Sequence, residues 1–218
     1  VVIEVEGTLI SQPYIAITLD MMEKFGVLVR HDEHWQRFVI QQGAQYESPG
    51  AFHVEGDASS ASYFLALGTS AGGPIDIQGV GALSVQGDVQ FAKVMELMGA
   101  QVTYLSNSLE VTGKNVAAGE RLNAFDLDFN LIPDAAMTAA ALAVYADGPC
   151  TLRNIASWRV KETDRIEAMQ NELRKVGAQV ESGPDWLRVH PIEEGQWRSA
   201  QIHTYDDHRI AMCMSLMA

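Results

Sequence analysis

A repeat of about 75 residues constrains this chain more than any other feature. Three segments run from a helix end through a glycine into a strand: MMEKFGVLV (21–29), VMELMGAQV (94–102) and ELRKVGAQV (172–180). Their glycines, Gly26, Gly99 and Gly177, stand 73 and 78 residues apart, and each suits the left-handed position that stops a helix. A second set interleaves with the first: GDASSASYFLAL (56–67), PDAAMTAAALAVYA (133–146) and DDHRIAMCMSLMA (206–218). In each, an Asp (Asp57, Asp134, Asp207) precedes a small, apolar helix, where a carboxylate can cap free N–H groups.

The repeating unit therefore reads as a buried helix, a strand, an amphipathic helix and two further strands. The first full copy predicts elements at 59–69, 75–80, 88–98, 101–105 and 109–112. The second predicts them at 134–146, 151–155, 162–176, 179–181 and 186–189. Ile166, Met169, Leu173 and Val176 recur at helical spacing on one face. The first helix of each unit is apolar all round and so belongs inside the fold. Residues 1–49 supply only the second half of a unit: strand 1–5, helix 13–25 and strands 27–30 and 37–40. A domain boundary or hinge is expected near Val54–Glu55. The chain begins inside one apolar run and stops inside another, and reads as a fragment of a longer protein.

Charge narrows the partners. A net charge of -13, with only 15 Lys and Arg in 218 residues, excludes broad binding to nucleic acid or anionic membranes. No apolar run approaches the ~20 residues of a membrane span. Cys150 and Cys213 lie in apolar surroundings, GPCTL and AMCMS, and read as unpaired thiols of a reducing cytoplasm. An anionic small molecule would need a local cationic pocket. SWRVKETDR (157–165) offers one, because Arg159, Lys161 and Arg165 fall within seven positions there.

Each of these residues also has a plainer reading. Glu162 and Arg165, at i,i+3, suit a surface ion pair, and Asp134 suits an N-cap. The DDH of 206–208 suits a cap better than a metal cluster, its ligand spacing being poor. Ser11 before Pro13 suits a routine helix start. Ser59-Ser60 after Gly56-Asp57 has the look of a phosphate cradle. Arg209 is harder to set aside, because a buried helix seldom starts with an arginine that has no partner.

Taken together, LISQPYIAITL (9–19), VEGDASSASYFLA (54–66), IPDAAMTAAAL (132–142), RNIASWRVKETDRIEAM (153–169), ELRKVGAQVE (172–181) and TYDDHRIAMCMSL (204–216) resemble the 5-enolpyruvylshikimate-3-phosphate synthase family, in order along the whole chain. The resemblance implies an inside-out α/β barrel of βαβαββ units, helices inside and sheets outside. On that pattern 1–54 closes one domain and 55–218 forms most of the other. It implies transfer of the enolpyruvyl group of phosphoenolpyruvate to the 5-hydroxyl of shikimate 3-phosphate, by a monomer without cofactor or metal.

By the same resemblance Asp134 is the base and Glu162 the acid. Ser11, Tyr14, Asp134, Ser157 and Lys161 meet shikimate 3-phosphate, and Arg165 and Arg209 grip the phosphoenolpyruvate carboxylate. Ser157 departs from the Asn frequent at that position. No role attaches to Arg159. Two other readings stand beside this one: a non-catalytic ligand-binding fragment, and a UDP-N-acetylglucosamine enolpyruvyl transferase. The latter relies on a loop cysteine, which neither Cys150 nor Cys213 resembles. Cations beside Asp134 and Glu162 favour their charged forms, so bound substrate anions would be needed to make the pair competent.

Overall fold

The computed structural model describes residues 1–7 and 9–218. One motif, strand–helix–strand–strand, occurs three times. It appears first as β1 (Val2–Glu4), α1 (Gln12–Lys24), β2 (Val29–His31) and β3 (Arg37–Ile40). After the helix α2 (Ala58–Ala71) it returns as β4 (Ile75–Gln78), α3 (Phe91–Leu97), β5 (Gln101–Tyr104) and β6 (Ser108–Thr112). The last copy is preceded by β7 (Asp126–Asp128) and α4 (Pro133–Leu142). It comprises β8 (Cys150–Arg153), α5 (Arg165–Lys175), β9 (Val180–Ser182) and β10 (Leu187–Val189), and α6 (His208–Ser215) follows.

In each copy the third strand lies between the other two, giving sheets β1-β3-β2, β4-β6-β5 and β8-β10-β9, all antiparallel. β7 adds a parallel edge strand to β8, completing one βαβαββ unit. That strand was not anticipated, because the three residues DLD are too short to show a strand period. Strand faces follow the pleat: in β6, Leu109 and Val111 are buried while Glu110 between them is exposed. The three sheets share no strand pair, so the described residues form no closed barrel.

The interior is helical. α4 lies against both α2 and α6, and Ala135, Ala136, Ala139, Ala140 and Ala141 are sealed from solvent. Such small side chains let helix axes approach closely. Ser62 Oγ meets Thr138 Oγ1 at 2.8 Å, and Thr138 Oγ1 lies 3.8 Å from Cys213 Sγ. These residues lie within the first two turns of α2, α4 and α6, and form a buried polar link through the three inner helices.

Gly26, Gly99 and Gly177 have φ of 85°, 105° and 111°, the left-handed helix stops that the repeat predicts. Three helices are shorter than expected. α4 ends at Leu142 and passes into a 3-10 turn, Ala143–Tyr145, where the helix was expected to run to 146. α5 starts at Arg165 rather than 162, because Asp164 is its N-cap and accepts from the Glu167 amide at 3.1 Å. The segment expected as one helix at 88–98 opens as a 3-10 turn, Gly87–Gln90, before α3. Residues 41–57 contain no helix or strand, and Val54–Glu55 falls within them.

Candidate active site

The site is built where α4, α5 and α6 begin. Ile132 is the N-cap of α4, with no side-chain cap, and Pro133 occupies the first turn. Trp158, fully buried in the 3-10 turn Ala156–Val160, donates its indole N–H to the Pro133 carbonyl at 2.7 Å. This bond ties the start of α4 to the segment carrying Lys161 and Glu162. Asp134 is therefore not the cap that its position suggests. Its carboxylate instead faces Arg165 Nη1 at 3.0 Å, Arg209 Nη2 at 3.4 Å and Lys161 Nζ at 3.7 Å. Proline supplies no N–H at the first turn, and three cations compete for the carboxylate, which turns outward to them.

Arg165 is the hub. Its guanidinium, 1% exposed, donates from Nε and Nη2 to Asp207 at 2.8 and 3.3 Å, from Nη1 to Asp134 and from Nη2 to Glu162 at 2.5 Å. The Glu162–Arg165 pair, expected at the surface, is exposed only at its Glu162 end, 45% against 1%. Asp207 also caps α6 through the Arg209 amide at 2.9 Å. Burial opposes its charge, but the bonds from Arg165 and the Arg209 amide outweigh that and hold its carboxyl below the ordinary aspartate value.

Arg209 has the partners that its place in an apolar helix demands. Nη2 donates to Ser59 Oγ at 3.0 Å and lies beside Asp134. Ser59-Ser60 is not a phosphate cradle: both hydroxyls donate to Asp57, at 2.8 and 2.6 Å. A carboxylate already fills that helix start and would repel an anion.

Residues 11–14 form the N-cap and first turn of α1. Ser11 precedes α1 with φ 56° and makes no side-chain cap. A Cβ added at Gly87 would overlap Pro13, so the two segments are in close contact. The Tyr14 hydroxyl is buried without a hydrogen-bond partner, beside Asp88, whose Oδ1 is also unpartnered. Burial pushes the Asp88 carboxyl up to about 6, with the charge of Asp134 adding to the shift. Ser157 is half-buried in the 3-10 turn. Lys161, Glu162, Arg165, Asp134 and Arg209 thus form one ionic cluster, which Ser11 and Ser157 do not join.

Arg159 stands apart from the cluster and braces it. It donates to Asp164 at 2.7 Å and to the Gly183 and Pro184 carbonyls at 2.6 and 3.1 Å. Three other contributors went unread in the sequence: Trp158 as a tie, Asp88 as a buried acid and Asp207 as the partner of Arg165. The repeat held a signal for the last, since it equates Asp207 with Asp57 and Asp134. Cys150 and Cys213 are sealed from solvent, and burial raises their thiols to about 11 and 12, which removes them as nucleophiles. Among the described residues no three His, Cys, Asp or Glu side chains converge as metal ligands would. A cavity of about 570 Å³ at Arg121, Tyr145 and Trp197 contains none of the cluster residues.

The fold is that of the enolpyruvyl transferases. It matches an EPSP synthase from Acinetobacter baumannii with TM-score 0.72, at 22% identity, over 90% of this chain and 46% of that one. The enolpyruvyl transferase NikO from Streptomyces tendae matches with TM-score 0.68, at 16% identity, over 99% of this chain and 48% of that one. The chain belongs to the EPSP synthase (3-phosphoshikimate 1-carboxyvinyltransferase) family, whose model matches residues 2–218. Curated relatives named 3-phosphoshikimate 1-carboxyvinyltransferase include those of Bordetella petrii, 65% identical, and Burkholderia lata, 58% identical, each over the whole of this chain. The chain spans about half the length of these relatives, 48% and 50%.

Proposed function

We propose that these 218 residues supply half of a site in which the enolpyruvyl group of phosphoenolpyruvate passes to the 5-hydroxyl of shikimate 3-phosphate. The observation that carries the proposal is the convergence of Lys161, Arg165 and Arg209 on Asp134, which gathers three of the 15 Lys and Arg of a chain of net charge -13. Residues 1–54 act as the closing part of one domain, 55–218 as most of the other, with the junction at 54/55 as the hinge.

Asp134 takes the proton of the 5-hydroxyl as its oxygen bonds to C2 of phosphoenolpyruvate, and Glu162 gives a proton to the methylene carbon. Phosphate then leaves as Glu162 takes a proton back from the new methyl group, which restores the double bond, and the proton held by Asp134 passes to the departing phosphate. Lys161, with Ser11, Tyr14 and Ser157, meets shikimate 3-phosphate. Arg165 turns Nε, Nη1 and Nη2 each toward a carboxylate, and the carboxylate of phosphoenolpyruvate takes the place of one of these partners. Glu162 is the solvent-exposed partner and is the one displaced. Substrate binding thus releases the Glu162 carboxyl from the guanidinium, and Arg209 completes the grip.

The relatives' further length carries the rest of the site, so the 218 residues bind ligand without turning it over. The intact enzyme acts as a cytoplasmic monomer. Calorimetry with shikimate 3-phosphate and a phosphate-release assay test this together. Binding without release supports it; release at the rate of a full-length relative, or no binding of either substrate, overturns it.

A further inference from the structure

The grip on Arg209 starts outside the ionic cluster, at the first residues beyond the junction. Asp57 Oδ1 accepts the Ser59 amide at 3.0 Å and the Ser59 hydroxyl at 2.8 Å. A serine hydroxyl has one proton and two lone pairs. With the proton committed to Asp57, Ser59 can only accept from Arg209, whose Nη2 lies 3.0 Å away and 150 positions along the chain. Ser59 is buried, so solvent offers little competition for this bond. The residues on either side of Asp57 are braced: the Gln86 side chain donates to Glu55 at 2.9 Å and to the Gly56 carbonyl at 2.8 Å, and accepts the Ala58 amide at 2.9 Å.

We infer that Asp57 and Ser59 are positioning residues for Arg209: the carboxylate orients the hydroxyl, the hydroxyl fixes Nη2, and the guanidinium is presented to Asp134 and to an incoming carboxylate. The inference rests on the proposed role of Arg209 in binding phosphoenolpyruvate. It adds a consequence, that the end of the connector at Glu55–Asp57 is joined through one side chain to an anion-binding arginine.

The test is NMR of the arginine guanidinium groups in the 218-residue chain. A hydrogen-bonded guanidinium shows separate, slowly exchanging Nη signals, and Arg165, held by three carboxylates, reports on the intact fold. Ser59→Ala keeps the Asp57 cap on the amide, and should merge the Arg209 signals while leaving those of Arg165 resolved. Asp57→Asn keeps a capping side chain, and should broaden the Arg209 signals in the same direction. Resolved Arg209 signals in either variant would overturn the inference.

Affinity adds a readout that a purely structural role would not move. Ser59→Ala should weaken phosphoenolpyruvate binding about tenfold, the usual scale for one hydrogen bond to a charged group, and leave shikimate 3-phosphate binding within about twofold. Equal weakening of both would count against positioning. If the unmodified chain bound neither ligand, the proposed function would fail, and the Arg209 signals alone would decide the inference.

Discussion

Arg165 Nε donates to Asp207 Oδ2 at 2.8 Å, between two side chains sealed from water and 42 residues apart in the chain. Removing one member of a buried pair leaves the other charged and unsatisfied, at a cost of about 3–5 kcal/mol. Arg165→Met should therefore destabilise the chain by that order in urea unfolding. Arg165→Lys should recover little, since an ammonium cannot reproduce the planar fork that meets Asp207, Asp134 and Glu162 together. A loss under about 1 kcal/mol for Arg165→Met would contradict this hub role.

Asp88 makes stability depend on pH in the opposite sense to a salt-bridged carboxylate. Its value is raised from 3.8 to about 6 in the fold, so folding favours its protonated form. That contribution is fully present below 3.8 and is lost as pH rises through about 6. Asp88→Asn, which cannot ionise, should be more stable than the parent at pH 7, by on the order of 2 kcal/mol. The gap should close near pH 4. Urea midpoints across this range check it, and a gap that does not vary with pH would refute it.

Gly87 packs directly against Pro13 at the start of α1. A methyl group there must displace Pro13, and overpacking of this kind costs about 1–3 kcal/mol. Gly87→Ala should speed hydrogen exchange in α1 while α5 exchanges as before. Unchanged exchange in α1 would mean that the contact does not hold the segment.

Trp158→Phe keeps most of the buried ring and removes one bond, leaving the Pro133 carbonyl without its indole donor. The expected cost is about 1–3 kcal/mol. The same change at Trp197, which is 41% exposed, should cost less. Chemical denaturation of the two variants compares them directly.

Cys150 and Cys213 should resist a thiol-blocking reagent in the folded chain. Both should react in urea above the unfolding midpoint, where burial no longer raises the thiols. Fast labelling of either under native conditions would contradict their burial.

The architecture was legible in the sequence because it repeats. Gly26, Gly99 and Gly177 announce helix stops through a local backbone requirement, and the alanine-rich run at 133–146 announces burial through composition alone. β7 was not legible: three residues, DLD, gain their strand only by pairing with β8. The residues of the ionic cluster were legible as types. Their arrangement was not, because a carboxylate beside a helix start looks the same whether it caps the helix or faces away.

Asp57 and Asp207 cap their helices, while Asp134, aligned with them in the sequence but two residues past the N-cap Ile132, meets three cations. Residue type and period follow from short-range covalent and steric rules, and the chain carries these in its order. Which carboxylate meets which guanidinium depends chiefly on groups 31 to 75 positions apart and on their exclusion from water. Only the packed helices bring such groups together, and only packing removes the solvent that would otherwise screen them.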